Sequence, residues 1–421
     1  MSSRSALDPR EAAGNPQGED EFFRIDAVHA SIGSPIPGGE AARWLLADGP
    51  QIDSEAELFD ELCWRIAGSG VSLLRATLHI GTLHPQIRGR SLRWLRERRL
   101  VEEYSILHGL EGTRDYAESP IKDAVERGLP FRRSLGSGAT GYPLLDKIGK
   151  AGGTDYLALP LNPANGRFPV VTWTTDRKGG FRDADIETLT QLNPALAAII
   201  ETRSARRIST NLLDTYLGRG AGRRILAGHI RRAEGEALRA VVMASDMRNF
   251  TGLSDRLPGG AVIELLDDYF DAVVPPIEKR RGEVLKFVGD GLLAIFPAED
   301  GEDFAPASLY AIEAAVEGLE RLDKASRVRK ARELSEIRAG VGLHLGEVIY
   351  GNVGAADRLD FTVIGPAVNL ASRIEGLTKR LLRPLLTSSA FAGICPRPLV
   401  SLGSHPVRGL LEPEEVFGLP E

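Results

Sequence analysis

Three short stretches in the second half of this 421-residue chain carry side chains that could do chemistry together. Asp246 ends the apolar run LRAVVMAS and stands just before a helix start around Phe250 to Leu253. A carboxylate at the carboxyl end of a strand, followed by the backbone amides of a helix start, can hold a divalent cation and the phosphates that come with it; an Asp at this point can equally be a plain N-cap. Asp290 lies in Gly289-Asp290-Gly291, between the two β-rich runs of GEVLKFVGDGLLAIFP. Asp-Gly between such runs predicts a hairpin, and Asp290 could serve only its turn. A hairpin tip and a strand end can, however, bring two carboxylates within the reach needed to bridge two Mg²⁺ ions about 3.5–4 Å apart. Asn369 and Arg373 are four residues apart, so on a helix running from Ala367 they share a face and can reach one ligand, or simply stand at the surface.

The elements that must position these groups follow from periodicity. IRAGVGLHLGEVIYGNVGAADRLDFTVIGPAVNLASRIEGLT predicts a strand, a turn at Gly346, a short strand to Gly351, a loop, a strand through Phe361 to Val363, and a helix. In the first half, EAELFDELCWRIAG has helical spacing and VSLLRATLHIGTLHP reads as extended, with charged helix-like and turn segments after it. Strands in YLALPL and FPVVTWTT follow, then a Gly-Gly turn and an amphipathic helix starting near Asp183 or Asp185. That helix continues as a linker interrupted by Gly218, Gly220, Gly222 and Gly228. Gly136, Gly138 and Gly141 match GxGxxG, but no clear strand enters the motif and Pro143 follows at once, so a loop is expected; no GxxxxGK[ST] occurs.

Composition sets the outer limits. With 43% hydrophobic and 26% charged residues the chain is an ordinary globular one, long enough for two or three domains. A formal net charge of −6 argues against a nucleic-acid binder, and the arginines from Arg203 to Arg232 read as the solvated face of a linker helix. Two widely spaced cysteines, Cys63 and Cys395, signal neither zinc nor a disulfide framework, and together with the absence of a secretory signal or an apolar span they suggest a cytoplasmic protein without a membrane span.

In order and in approximate spacing, SDMRNFTGLS, KFVGDGLLAIF and GEVIYGNVG followed by DFTVIGPAVNLASRIE resemble the catalytic domain of class III adenylate and guanylate cyclases, and the resemblance spans nearly all of Leu238 to Leu419. It implies that Asp246, Asp290 and the Met247 backbone carbonyl bind two Mg²⁺ (or Mn²⁺) ions, with the backbone around Asn249, Phe250 and Thr251 near the β- and γ-phosphates. Asn369 would orient the ribose and Arg373 would stabilise charge on the α-phosphoryl group. HPVRGLLEPEEVFGL resembles the family's final strand pair, with Arg408 where a Lys is usual, and Pro366 replaces a common Asp or Asn. For the base, Lys286 stands four residues before Asp290 and Thr362 takes the companion position; this pair fits adenine, and the Glu and Cys usual for guanine are lacking.

The resemblance further implies ATP as substrate and a head-to-tail homodimer whose active sites are shared between subunits. The expected fold is α+β: a ferredoxin-like cyclase domain of mixed or antiparallel sheet with helices at 238–421, preceded by a helical linker at 191–237. An α/β domain at 21–190, whose last strand and helix resemble a GAF-type sensor, would receive a small-molecule or protein signal, and residues 1–20 read as a disordered tail. A guanylate or mixed-specificity cyclase, or a catalytically silent nucleotide-binding regulator, are the alternatives.

Overall fold

The computed structural model of the chain describes residues 23–31, 33, 41–136, 138–161, 169–232, 234–298, 303–409 and 411–420, so the tail expected at 1–20 lies outside the described residues. The chain forms two units, Met1–Leu212 and Leu213–Glu421. Among the described residues no helix is long and apolar enough to cross a membrane.

The amino-terminal unit is built on strands β1 (Phe23–Ala30), β2 (Arg75–Gly81), β3 (Ile87–Leu95), β4 (Leu100–Leu107), β5 (Phe131–Ser134), β6 (Asp155–Pro160) and β7 (Val170–Thr175). They lie in the order β1-β4-β3-β2-β7-β6-β5 with antiparallel neighbours throughout. Its helices are α1 (Ala41–Ala47), α2 (Glu55–Gly68), α3 (Arg114–Ala117), α4 (Pro120–Arg127), α5 (Pro143–Lys150) and most of α6 (Asp183–Leu217). Leu62 and Ile66 of α2 and Leu192, Leu196 and Ile200 of α6 share one core with Leu78, Trp94 and Trp173 of the sheet.

Two expectations change here. The charged segment after β2 is not helix-like: it is the β3–β4 hairpin, in which Arg93 stands directly opposite Glu102 and pairs with it, while Leu92, Trp94 and Val101 fill the core. Its charges alternate with apolar residues and meet opposite charges across the ladder, which stabilises a strand pair as well as a helix face. The stretch read as linker from residue 191 begins as core, since Leu192, Ala195, Leu196, Ile199 and Ile200 are all buried. The helix breaks at Gly218, whose φ of 85° is unfavourable for other residues, before α7 (Arg219–Leu226). Two of the linker arginines are engaged within the amino-terminal unit: Arg203 donates to the carbonyls of Gly49 and Asp53, and Arg207 pairs with Glu55. The glycine-rich loop leads into α5, where the Asp146 carboxylate accepts from the Thr140 N–H and hydroxyl at 2.8 and 2.7 Å.

In the carboxy-terminal unit the strands are β8 (Gly235–Met247), β9 (Glu283–Val288), β10 (Gly291–Pro297), β11 (Ala339–Ala355), β12 (Arg358–Ile364), β13 (Leu385–Ser388), β14 (Val400–His405) and β15 (Glu414–Gly418). The order is β14-β15-β13-β11-β8-β10-β9, with β12 paired to β11; β11 and β13 are parallel and the other pairs antiparallel. Helices α8 (Phe250–Ser254), α9 (Gly259–Lys279), α10 (Ala305–Ala331), α11 (Pro366–Arg380) and α12 (Ser389–Ala392) complete the mixed α+β unit.

The central strand β8 explains why LRAVVMAS lacks alternation. Val241 and Met243 pack with Leu265, Tyr269 and Ile312, whereas Ala240, Val242 and Ala244 pack on the other face with Phe361, Ala367 and Ala371. The turn expected at Gly346 does not form, because β11 is one unbroken strand of 17 residues whose hairpin to β12 comes only after Ala355. Gly346 instead admits α11: a Cβ there would lie 2.7 Å from the Cβ of Ala367.

Candidate active site

The two sequence-predicted carboxylates meet at one end of the central strands. Asp246 is the penultimate residue of β8 and pairs in register with Gly291, the first residue of β10. The Met247 N–H donates to the Asp290 carbonyl at 3.1 Å, which ties the strand end to the hairpin tip. Gly291 is required by this approach, since a Cβ on it would sit 2.7 Å from Asp246 Oδ1. Burial, and then the neighbouring Asp290 charge, push the Asp246 carboxyl above the usual carboxylate range. Among the described residues no Lys, Arg or His forms an ion pair with either carboxylate. Two adjacent acidic oxygen donors without a protein counter-ion suit hard divalent cations such as Mg²⁺ or Mn²⁺. The Met247 side chain is in the core at 4% exposure, so any contribution to a ligand comes from its backbone.

Beneath the pair, Ser245 faces the opposite side of β8 and its hydroxyl lies 2.7 Å from Tyr269 Oη. A third carboxylate, unmarked in the sequence reading, comes from α11. Glu375 approaches Gly340, the residue opposite Asp246 on β11, closely enough that a Cβ there would be 2.5 Å from its Oε1. Burial and the Asp246 charge raise the Glu375 carboxyl to about 7, with Arg248 acting in the opposite direction. Arg248 itself is held by the Arg383 carbonyl at 3.0 Å.

After β8 the chain turns through Asn249, which adopts the left-handed conformation at φ 63°, a region that Asn tolerates better than most residues. The turn starts α8 at Phe250, and the first-turn N–H groups of Phe250 and Thr251 have no intrahelical acceptor. Lys286 lies on β9 and Thr362 on β12. The Lys286 ammonium is 3.5 Å from Asp360 Oδ2, two residues before Thr362. Thr362 is 3% exposed, and its buried hydroxyl has no hydrogen-bond partner among the described residues.

Asn369 and Arg373 share one side of α11, as expected, but that side looks outward. Ala367, Ala371, Ile374, Leu377 and Thr378 form the buried stripe, and at 3.6 residues per turn Asn369 falls on roughly the opposite surface with Arg373 at the edge between them. Asn369 is exposed and Arg373 half-buried. The Arg373 guanidinium lies against Gly409, with both Nη atoms 3.2 Å from where a Cβ would be, which brings the neighbouring, exposed Arg408 to the same region. The structure therefore brings Asp246 beside Asp290, Lys286 beside Asp360, two residues before Thr362, and Arg373 beside the Arg408–Gly409 turn, with Asn369 exposed.

Known proteins share this half of the chain. Residues 236–382 match the adenylate and guanylate cyclase catalytic domain family. An adenylate cyclase of Anabaena cylindrica is 35% identical over 164 residues, covering 38% of this chain and 31% of that one. An uncharacterized protein of Mycobacterium tuberculosis is 35% identical over 175 residues, covering 41% and 31%. The chain thus spans about a third of the length of the curated relatives it matches. Among solved structures, the adenylyl cyclase CyaB from P. aeruginosa is 25% identical with a TM-score of 0.41, covering 45% of this chain and 96% of that one. The carboxy-terminal unit of this chain carries, at residues 236–382, a class III adenylate and guanylate cyclase catalytic domain.

Proposed function

We propose that this domain converts ATP to 3′,5′-cyclic AMP and pyrophosphate. The observation that carries the reading is the Asp246–Asp290 pair, two neighbouring carboxylates at a strand end and hairpin tip with no counter-ion from the described chain. Divalent cations held by Asp246, Asp290 and the Met247 carbonyl would neutralise the triphosphate and acidify the ribose 3′-hydroxyl. The first-turn amides of Phe250 and Thr251, after the left-handed Asn249, would receive the β- and γ-phosphates. Lys286 would donate to the adenine ring, and the Thr362 hydroxyl would accept from its amino group.

The reaction forms a bond from the 3′-oxygen to the α-phosphorus and breaks the bond to the α–β bridging oxygen, so pyrophosphate leaves and the 3′-proton passes to water or phosphate. In that step Asn369 holds the ribose, the planar fork of Arg373 stabilises the charge gathering on the α-phosphoryl oxygens, and Arg408 adds positive charge beside it. With Asn369 on the outer surface of α11 and Arg373 at its edge beside the Arg408–Gly409 turn, they would serve the carboxylates of a second copy. The active enzyme is then a homodimer with shared sites. In this reading residues 21–190 are a GAF-like sensor that controls the catalytic domain in response to a small-molecule or protein signal.

The test is turnover of ATP and, separately, GTP with Mg²⁺ or Mn²⁺, quantifying both cyclic products beside an Asp290→Asn control. Cyclic AMP in excess, lost in the control, supports the reading. Cyclic GMP in excess overturns the base assignment.

A further inference from the structure

We propose that the amino-terminal unit binds a small anion, through a carboxylate or phosphate group, at a polar patch on the sheet face turned away from its main core, with the Arg75 guanidinium as the anchor. The site lies within the amino-terminal unit and is independent of the cyclase reading; it gives a chemical class to the small-molecule signal, and only its effect on the cyclase rests on the sensor reading. On β2, Ala76, Leu78 and Ile80 enter the main core, so alternation sends Arg75, Thr77 and His79 to the other face. Register brings polar groups beside them. Thr174 and Thr172 of β7 stand opposite Arg75 and Thr77, and Tyr156 of β6 stands opposite Thr174. On the other flank, Arg93 of β3 stands opposite Thr77. The apolar part of this face is covered by α4 and α5, whose Ala124, Leu145 and Ile148 pack with Tyr156, Ala158 and Val170.

The charges on this face do not balance. Glu102 of β4 is committed to Arg93, with which it forms an ion pair, and to the Tyr104 hydroxyl, which donates to it at 2.7 Å. Among the described residues no carboxylate forms an ion pair with Arg75, whose Nε donates to the Thr77 hydroxyl at 3.5 Å. Burial, and then the Arg93 charge, lower the Arg75 guanidinium to about 10, which leaves it charged at neutral pH. Burial and the Arg75 charge push His79 down to about 4, so it adds no charge there, and its Nδ1 lies 2.6 Å from the Ser91 hydroxyl. The buried Tyr156 hydroxyl also lacks a hydrogen-bond partner among the described residues, although Thr172 lies beside it. A guanidinium without a counter-ion in surroundings that penalise charge destabilises the fold, and an unpaired buried hydroxyl adds to that cost. An anion, which only accepts hydrogen bonds, would offset both. The planar fork of Arg75 presents parallel N–H donors to a carboxylate or phosphate, and the Tyr156 hydroxyl stands near it as a further donor. Arg75 is half-buried rather than sealed, so a ligand can meet it without opening the core.

The experiment titrates inorganic phosphate, acetate and benzoate into the full chain by calorimetry, with chloride as the background anion, beside Arg75→Met and Tyr156→Phe. The wild type should bind phosphate or the carboxylates, and the preferred probe tells which of the two groups the site takes. Arg75→Met, which keeps the length of the side chain without its charge, should weaken that binding at least about tenfold, the effect of one charge-assisted contact. Tyr156→Phe should weaken it about two- to fivefold. Thermal melts without added anion give a readout that a structural arginine would move the other way: Arg75→Met should melt no lower than the wild type, because it removes an uncompensated charge rather than an ion pair. The bound anion should raise the melting temperature of the wild type and not that of Arg75→Met. If none of the three probes binds, or if Arg75→Met binds them as the wild type does, the site is refuted. A lower melting temperature for Arg75→Met at unchanged affinity marks the arginine as structural and refutes it as well. If Arg75→Met does not fold, Tyr156→Phe decides, and an unchanged affinity there overturns the proposal. Binding that is lost in Arg75→Met but leaves cyclic nucleotide formation by the wild type unaltered upholds the site and overturns the sensor reading.

Discussion

Replacing Gly291 by Ala would test whether strand register places the acidic pair. The added methyl would lie 2.6 Å from the Ser245 carbonyl oxygen and 2.7 Å from Asp246 Oδ1, so reaching ordinary contact near 3.4 Å requires shifts of about 0.8 and 0.7 Å by subtraction. The obstacle on one side is backbone, fixed by the β8–β10 ladder and the Met247 N–H to Asp290 carbonyl bond, so much of the adjustment falls on the Asp246 carboxylate. Overpacking of this kind costs about 1–3 kcal/mol of stability, or a melting temperature lower by roughly 2–12 °C for a unit of this size. A displacement approaching 1 Å at a reacting centre lowers the rate by about 100-fold. The assay is kcat for ATP with saturating Mn²⁺ at a temperature where circular dichroism shows both proteins folded. A Gly291→Ala enzyme that is folded and turns over at the wild-type rate would refute the link between this glycine, the carboxylate position and catalysis.

Three further outcomes are expected. Asp246→Asn and Asp290→Asn should each lower kcat by at least about 100-fold, and Mn²⁺ should raise the melting temperature of the wild type but not of either variant, as thermal melts with and without the ion will show. Glu375→Gln should stabilise the metal-free protein at pH 8 and lose that advantage near pH 5. The sign follows from an acid raised from 4.5 to about 7: its stabilising contribution is complete below the unfolded value and is lost as pH rises through the folded one. After discounting for solvent at a half-buried group, the gain at pH 8 is on the order of 1–2 kcal/mol, readable as melting temperature against pH. Glu283→Ala should loosen α7, because that carboxylate accepts from the Ala221 N–H at 3.0 Å and from the Tyr350 hydroxyl at 2.6 Å. Leaving both donors unpaired costs about 1–3 kcal/mol each, so amide hydrogen exchange over residues 219–226 should quicken markedly.

Much of the catalytic half was legible in the chain order of its residues, because those features depend on near neighbours. The Gly289-Asp290-Gly291 turn between two apolar runs, the shared face of Asn369 and Arg373, and the acidic start of the helix at Asp183 each follow from spacing of a few residues. The features that were misread or missed depend on partners distant along the chain. Whether the charged residues of Ile87–Leu107 form a helix or a hairpin is settled by Glu102 standing opposite Arg93 and by Trp94 entering the core. Gly346 belongs to a straight strand because Ala367 needs room above it, which no local signal for a turn reveals. Glu375 and Asp360 gain their interest from Asp246 and Lys286, separated from them by more than a hundred and more than seventy residues respectively. Local sequence determined which groups were available and which way each element could present them. Only the packed sheet, by bringing strand ends and a helix together in a region of low polarisability, decided which charges would face one another, since that depends on distance and burial rather than on position in the chain.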